Sequence, residues 1–450
     1  MARITFTENS KNFAIDTLQF ISGTDLTATA AFTIKAAGTI TVGGVSAIEG
    51  SSGADTVRLT ATAVDGVTPA VLPAAGLTYD TNNTLSTIAD TLAGSAIAEK
   101  ITFNNGVSGG LVNIKYSSGS TITTDSLIGG SGIDTITLIA GSKINYTYVG
   151  TATDVINGSG SNDTITLATA STKISFRTGG GADSLIGSSG ADTITLSAAS
   201  SFTYTANTST STDSIIGSSG SDSIKLSGTS LLNFATVGGT DSIYGSTGAD
   251  TLTIRAATIG SAAVNFKYSS GSTSTTDTLT LTSSADTVTL TAASKVNITT
   301  GGAADQIIGS TAGDTITATS SAVGVSIRGN GGADILTGTS ANSTVSGGGG
   351  SDSFIYSSSS ESGTGSTGDI ITNFVVDSGD TLGDVLVFSG MQTGTFALLA
   401  SDGAFTGAGN SEARFAGELL EVDVNGNGTA DMSITLSGVT TIAPTDFSWT

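Results

Sequence analysis

Two acidic positions nine residues apart recur from one end of this chain almost to the other. Asp125 and Asp134 bracket DSLIGGSGID, and the same spacing joins Asp154 to Asp163, Asp183 to Asp192, Asp213 to Asp222, Asp241 to Asp250, Asp277 to Asp286 and Asp305 to Asp314. It extends to Asp16 and Asp25, to Asp90 and Glu99, and to Ser46 and Asp55 with serine in the first place. The first members fall at 16, 46, 90, 125, 154, 183, 213, 241, 277, 305 and 334, with most steps 28 to 30 residues long. A fixed long period means one small unit stacked on copies of itself. The longer steps fit loop insertions, and one reads as a duplication: VNIKYSSGSTITTD at 112–125 against VNFKYSSGSTSTTD at 264–277.

Each unit holds three strand-like pieces. In the unit from Asp125 they are SLIG, TITL and INYTY, separated by GSGID and AGSK. Period-2 alternation puts Thr135 and Thr137 on one face and Ile136 and Leu138 on the other. The third piece points Ile144 and Tyr146, Ile174 and Phe176, Phe202 and Tyr204, Leu232 and Phe234, and Val264 and Phe266 inward. One such unit per coil makes an all-β, parallel β-solenoid of about eleven three-sided coils, right-handed by the usual rule for parallel crossovers. Stacked coils would then gather Tyr146, Phe176, Tyr204, Phe234 and Phe266 into one aromatic column. TLSTIADTLAGSAIAEK at 84–100 also fits a short amphipathic helix, but the Asp90–Glu99 register favours a coil. The domains read as 1–356, solenoid, and 357–450, where the period stops.

Composition removes several functions. The formal charge is −22 and the pI near 4.1, which argues against nucleic acid, since phosphate binding needs clustered Lys and Arg. There is no cysteine to form disulfides, and no histidine, the commonest general base and transition-metal ligand. No apolar stretch is long enough for membrane insertion, and MARITFTENSKNF does not read as a signal peptide. Lys and Arg total 15 and are scattered, and most aromatics fall in inward places. The chain therefore reads as a non-enzyme rather than as a polysaccharide lyase or epimerase.

GGSGIDTIT (129–137) and GGGGSDSFI (347–355) match G-G-x-G-x-D-x-U-x, with U a large aliphatic or aromatic residue; GSSGADTIT (187–195), GSTGADTLT (245–253) and GNGGADILT (329–337) lack one glycine. The pattern resembles the calcium-binding nonapeptide of the RTX (repeats-in-toxin) family. From Asp334 to Asp352 the spacing shortens to 18, one coil of that family's two-sided β-roll. The resemblance implies Ca²⁺ held by Asp carboxylates and turn carbonyls of adjacent coils. A hard cation wants oxygen ligands, and glycines let carbonyls converge. On this reading the ligand set is Asp134, Asp163, Asp183, Asp192, Asp222, Asp241, Asp250, Asp305, Asp314, Gly329, Gly331, Asp334, Gly347, Gly349 and Asp352. Two columns of like charge a few ångströms apart would repel unless neutralised.

GDIITNFVVDSGDTLGDVLVFSGM (368–391) and EVDVNGNGTADMSITLSGVTTIAPTDFSWT (421–450) are similar to the C-terminal region of serralysin-type, type I secreted proteins. This implies a capping and export domain and a secreted or surface location on a Gram-negative bacterium. Asp423, Asn425, Asn427 and Asp431 echo a calcium loop, but Ile434 stands where an EF-hand needs Glu, so a hairpin turn is the better reading. The leading function is an extracellular structural protein that assembles head to tail into a surface layer or filament. RITFTENSKNFAID begins in strand alternation with no preceding cap, which would leave an open sheet edge. The alternatives are an adhesin binding cell-surface glycans through Ser/Thr faces, and an ice-binding protein using a Thr-x-Thr ladder such as Thr135/Thr137 and Thr164/Thr166.

Overall fold

The predicted strand phase governs the structure, a computed structural model. Ile136, Leu138, Ile144, Tyr146, Ile174 and Phe176 are all buried, while Thr135 and Thr137 are partly exposed. The structure describes short strand segments between residues 18 and 104, then 112–450 except 150, 207–209, 257–262, 302–303, 320–323, 339–341 and 378–382. Its two compact units are Met1–Ser218 with Asp222–Ile224, and Ser219–Ser221 with Lys225–Thr450.

In the first unit, Asp125–Ile128 pairs in parallel with Lys100–Asn104 on one side and Lys143–Thr147 on the other. Asp134–Leu138 likewise lies between Val112–Ser117 and Asp154–Asn157. Each strand bonds the strands two before and two after it. The second unit repeats this: Asp277–Thr280 joins Thr251–Ala256 to Lys295–Thr299, and Thr287–Leu290 joins Asn265–Ser269 to Gln306–Ile308. The fold is therefore all-β and a parallel β-solenoid, as expected.

The coil itself is two-sided, not three-sided. One turn of chain holds two strands, one in each of two sheets, and the Asp134 amide meets the Asp154 carboxylate 20 residues on. The two-sided roll anticipated only near residues 334–352 runs through both units. Three strands per sequence unit make one and a half turns, so the same motif alternates between sheets and returns to its starting sheet only after two units. The single aromatic column fails for the same reason. Tyr146 stands in register between Leu127 and Leu167, and Phe176 between Ile156 and Leu196. Across the core Phe176 meets Phe202 edge-on, with centroids 5.4 Å apart. An aromatic flanked by aliphatics fills the interior without stacking ring on ring, and each such side chain contributes about 1.5–3 kcal/mol by burial.

In the first unit the outer Thr-x-Thr pairs are separated too: Thr135 neighbours Asn113 and Val155, and Thr164 neighbours Lys143 and Ser184. Asp90–Ala93 and Lys100–Asn104 are strands, so this stretch forms coil rather than helix where it is described. The first coil, expected to lack a cap, lies outside the described residues apart from Leu18–Gln19.

The sheets run past the boundary expected at 356. Asp369–Thr372 pairs with Thr344–Gly349, and Val385–Phe388 with Ser353–Tyr356. Met432–Ser437 and Phe447–Trp449 then pair in parallel with those two strands. An antiparallel run, Glu412–Ala416, Leu419–Asp423 and Met432–Ser437, follows the roll. Phe388 stacks on Trp449 at 4.7 Å. The 423–431 segment is the expected hairpin connection: Asp423 accepts the Gly426, Asn427 and Gly428 amides, and Asp431 those of Val424 and Asn425.

Candidate calcium turns

Most repeat aspartates stand at or beside the head of a strand, directly after a tight turn, with the carboxylate turned into the roll. Described members of both series are almost wholly buried, Asp134 and Asp125 at 0 % exposure and Asp334 and Asp352 at 1 %. In most of them Oδ1 does one job: it accepts the amide at a strand head one turn earlier in the chain. Asp134 N donates to Asp154, Asp163 N to Asp183, and Asp192 N to Asp213, all at 2.9 Å. In the second unit Asp250 N donates to Asp277, Asp314 N to Asp334, and Asp334 N to Asp352. Each edge of a unit thus carries a ladder that mixes the two aspartate series, because the motif alternates between sheets. The ladder continues beyond the repeats through Asp369 and Asp384.

The Oδ2 atoms divide the turns into three kinds. In the first, a Ser or Thr four residues earlier clamps the carboxylate. Ser188 donates its amide to Asp192 at 2.6 Å and its hydroxyl at 2.7 Å. Ser159 and Asp163, Ser218 and Asp222, Ser246 and Asp250, and Thr282 and Asp286 follow the same plan. Ser310 gives its amide to Asp314, and Gly301 gives only its amide to Asp305.

In the second kind, a buried tyrosine hydroxyl closes the site from inside. Tyr116 donates to Asp125, Tyr146 to Asp154, Tyr204 to Asp213 and Tyr268 to Asp277, at 2.6–2.7 Å. The third kind is open. Asp183, Asp334 and Asp352 each keep a buried Oδ2 with no hydrogen-bond partner; Asp134 makes no well-formed hydrogen bond on either oxygen, with only the Gly130 and Val112 amides near it. Such orphans are rare in native proteins, and a cation or a water would satisfy them.

Burial raises the carboxylates of open and closed turns alike. Burial first, then the Asp154 charge, pushes Asp134 up to about 7. Burial, then the Asp352 and Asp314 charges, pushes Asp334 up to about 6. Burial and the Asp163 charge take Asp183 to about 6. Burial also raises Asp163, Asp222, Asp250 and Asp314, while their serine contacts pull the other way.

The first glycine of the motif is fixed sterically. A Cβ on Gly347 would stand 2.1 Å from Asp352 Oδ2; one on Gly329 would stand 2.1 Å from Asp334 Oδ2 and 2.5 Å from the Gly347 carbonyl oxygen. Gly331 and Gly349 pair with each other across adjacent strands, and a Cβ there would meet nothing closer than 3.6 Å. Gly348 and Gly350 take φ of 108° and 131°, open only to glycine.

These turns match the family model described as RTX calcium-binding nonapeptide repeat (4 copies), over residues 121–138, 148–167, 176–198, 236–253 and 328–358. The chain is an RTX calcium-binding β-solenoid protein. Its cofactor is Ca²⁺, and RTX repeats are typical of secreted proteins. No curated protein matches the chain. No helix among the described residues is long and apolar enough to cross a membrane.

The residues fit the ion. Among the described residues no three acidic side chains converge, so the RTX turns offer calcium one carboxylate at a time, with carbonyl oxygens beside it. Of the anticipated ligands, Asp134, Asp183, Asp334 and Asp352 are open. Asp163, Asp192, Asp222, Asp250, Asp305 and Asp314 already hold protein donors on Oδ2. Asp241 is buried at the head of Asp241–Tyr244. The clamping serines and the tyrosines escaped the sequence reading; the residue four places before each aspartate was the available signal.

Proposed function

We propose that this RTX protein is a secreted, calcium-stabilised structural protein that self-assembles into a surface layer or filament. In this reading residues 357–450 cap the roll and carry the serralysin-like, type I export function. Calcium enters at Asp134, Asp183, Asp334 and Asp352, with Gly329 and Gly347 giving the carboxylates and carbonyls their close approach. What supports a structural role most is the chain's investment in repeated turns that neutralise buried carboxylates, while its largest aromatics face inward. The Phe447–Trp449 strand supports assembly: it pairs with Val385–Phe388 on one side and with no other strand among the described residues. An open strand edge is a template for another chain. Electron microscopy and sedimentation of the full chain, with calcium and with chelator, test this. Calcium-dependent polymers are expected; a calcium-loaded monomer at high concentration overturns it.

A second reading, a glycan-binding adhesin, draws on one outer face of the second unit. There Thr253, Thr280, Thr299 and Thr319 stand in register on adjacent strands, with Thr251 and Thr278 beside them. This hydroxyl array, edged by Arg255 and Lys295, suits a polysaccharide. Glycan binding by the monomer, lost on Thr280→Lys, would favour it.

A further inference from the structure

Charge is sorted by position in this chain. From residue 100 to residue 356 every aspartate is buried, and there is no glutamate. Every lysine and arginine of the same stretch stands at an outward strand position, half-buried or exposed. Among the described residues the ion pair is Arg414 with Glu421, outside this stretch. The outer faces therefore carry cations and no anions, and the formal charge of −22 does not describe them.

The cations also fall in register. In the first unit Lys115 is followed across the sheet by Thr137, Asn157 and Arg177, one residue per strand. The Asn157 side-chain amide donates to the Thr137 hydroxyl at 3.3 Å, which ties the two middle members together. Three strand steps set Lys115 and Arg177 roughly 14 Å apart, and both are exposed. Lys173 stands exposed on the same strand and face as Arg177. The second unit repeats the plan in a sheet of its own, with Lys267, Thr289, Ile308 and Arg328 in register.

We propose that the column from Lys115 to Arg177 binds a linear acidic polysaccharide laid across the strands. Spaced cations with a hydroxyl and an amide between them complement a polymer whose anionic groups alternate with neutral, hydroxyl-bearing sugars. A nucleic acid fits worse. Its phosphates come far more densely, and its bases want aromatic side chains to stack on. No aromatic residue stands at an outward strand position of this sheet between residues 112 and 216. An anionic bilayer wants a denser basic cluster. The surface uses neither a turn aspartate nor the second unit's Thr280, so it stands or falls apart from calcium binding, assembly and the hydroxyl array.

The test measures the affinity of the full-length, calcium-loaded protein for hyaluronan oligosaccharides, which carry a carboxylate on every second sugar. Dextran, single-stranded DNA and phosphatidylserine vesicles are the comparison probes, and circular dichroism confirms the fold of each variant. Hyaluronan should bind, dextran should not, and the affinity should fall as salt is raised. Lys115→Gln with Arg177→Gln should weaken binding about fivefold or more. Lys100→Gln with Lys143→Gln, the same loss of charge on the other sheet, should leave it nearly unchanged. Where the first pair does not fold, Arg177→Gln alone should weaken binding about twofold. Equal weakening by the two pairs would mean general charge attraction and overturns the site. Tighter binding to the DNA or the vesicles, or no binding to hyaluronan, overturns the polysaccharide assignment.

Discussion

Removing one hydroxyl from the core, in Tyr268→Phe, isolates the energy of internal neutralisation. The ring lies in register between Ile243 and Leu290 and is fully buried. Phenylalanine already fills the corresponding inward place at 176 and 234, so packing should survive. What is lost is the 2.7 Å bond from the phenol to Asp277 Oδ2. A hydrogen bond to a charged group contributes about 1.5–3 kcal/mol, and stranding its buried partner keeps the loss near the upper end. The loss should depend on pH. Burial holds Asp277 at about 6, with the Asp250 charge raising it further and the phenol pulling it down. Without the phenol the charged form is disfavoured more, whereas at pH 5 Asp277 is largely protonated and loses only a neutral hydrogen bond, about 1 kcal/mol. Hydrogen exchange at the Asp250 amide, which donates to Asp277 Oδ1, reads this locally, and urea unfolding in chelator reads it globally. A solenoid can open in segments, so the local measurement carries more weight. A loss under about 0.5 kcal/mol at pH 7.5, or the same loss at pH 5, would refute the reasoning.

Acid should stabilise the calcium-free chain. Asp277 near 6 and Asp369 near 7 hold protons in the folded chain that the unfolded chain, near 3.9, has released. Their contribution favours folding below about pH 4 and is lost as pH rises through 6 to 7. In chelator the thermal midpoint should therefore be higher at pH 5 than at pH 7.5, and a higher midpoint at pH 7.5 would contradict the assignment. Gly347→Ala drives a Cβ into Asp352 Oδ2 and should lower both bound calcium and the calcium-loaded midpoint, while Gly349→Ala should behave nearly as wild type; dialysis and calorimetry compare them. Phe176→Asp buries an unpaired charge between Ile156 and Leu196 and should cost several kcal/mol. Thr166→Asp, on the outer face, should cost about 0.5 kcal/mol or less. Equal tolerance in denaturant titrations would reject the strand phase.

The inward and outward phases were legible because alternation is local: Ile136 and Leu138 against Thr135 and Thr137 need no knowledge of partners. So was the 423–431 hairpin, whose Ile434 ruled out a closing ligand. The number of sides per coil was not. SLIG, TITL and INYTY are similar strands joined by similar turns, and nothing within any of them names the sheet it joins. With three strands per sequence unit and two per turn, the visible period and the physical one disagree. The site was half legible. The aspartates and the leading glycines announce themselves, but Ser188 and Ser246 read as ordinary turn residues until their hydroxyls are seen on Asp192 and Asp250. Tyr146 and Tyr204 read as core aromatics, which they are, and the reach of their hydroxyls to Asp154 and Asp213 depends on the two-sided winding.

Hydrogen exchange of the full chain, with saturating calcium and with chelator, tests the central claim most directly. Calcium should increase protection at the open turns, 129–134, 179–183, 329–334 and 347–352, well beyond any change at the serine-clamped turns 188–192 and 246–250 or at the tyrosine-closed heads Asp154, Asp213 and Asp277. Protection that is indifferent to calcium at the open turns, or that rises equally at all three kinds, would contradict the account.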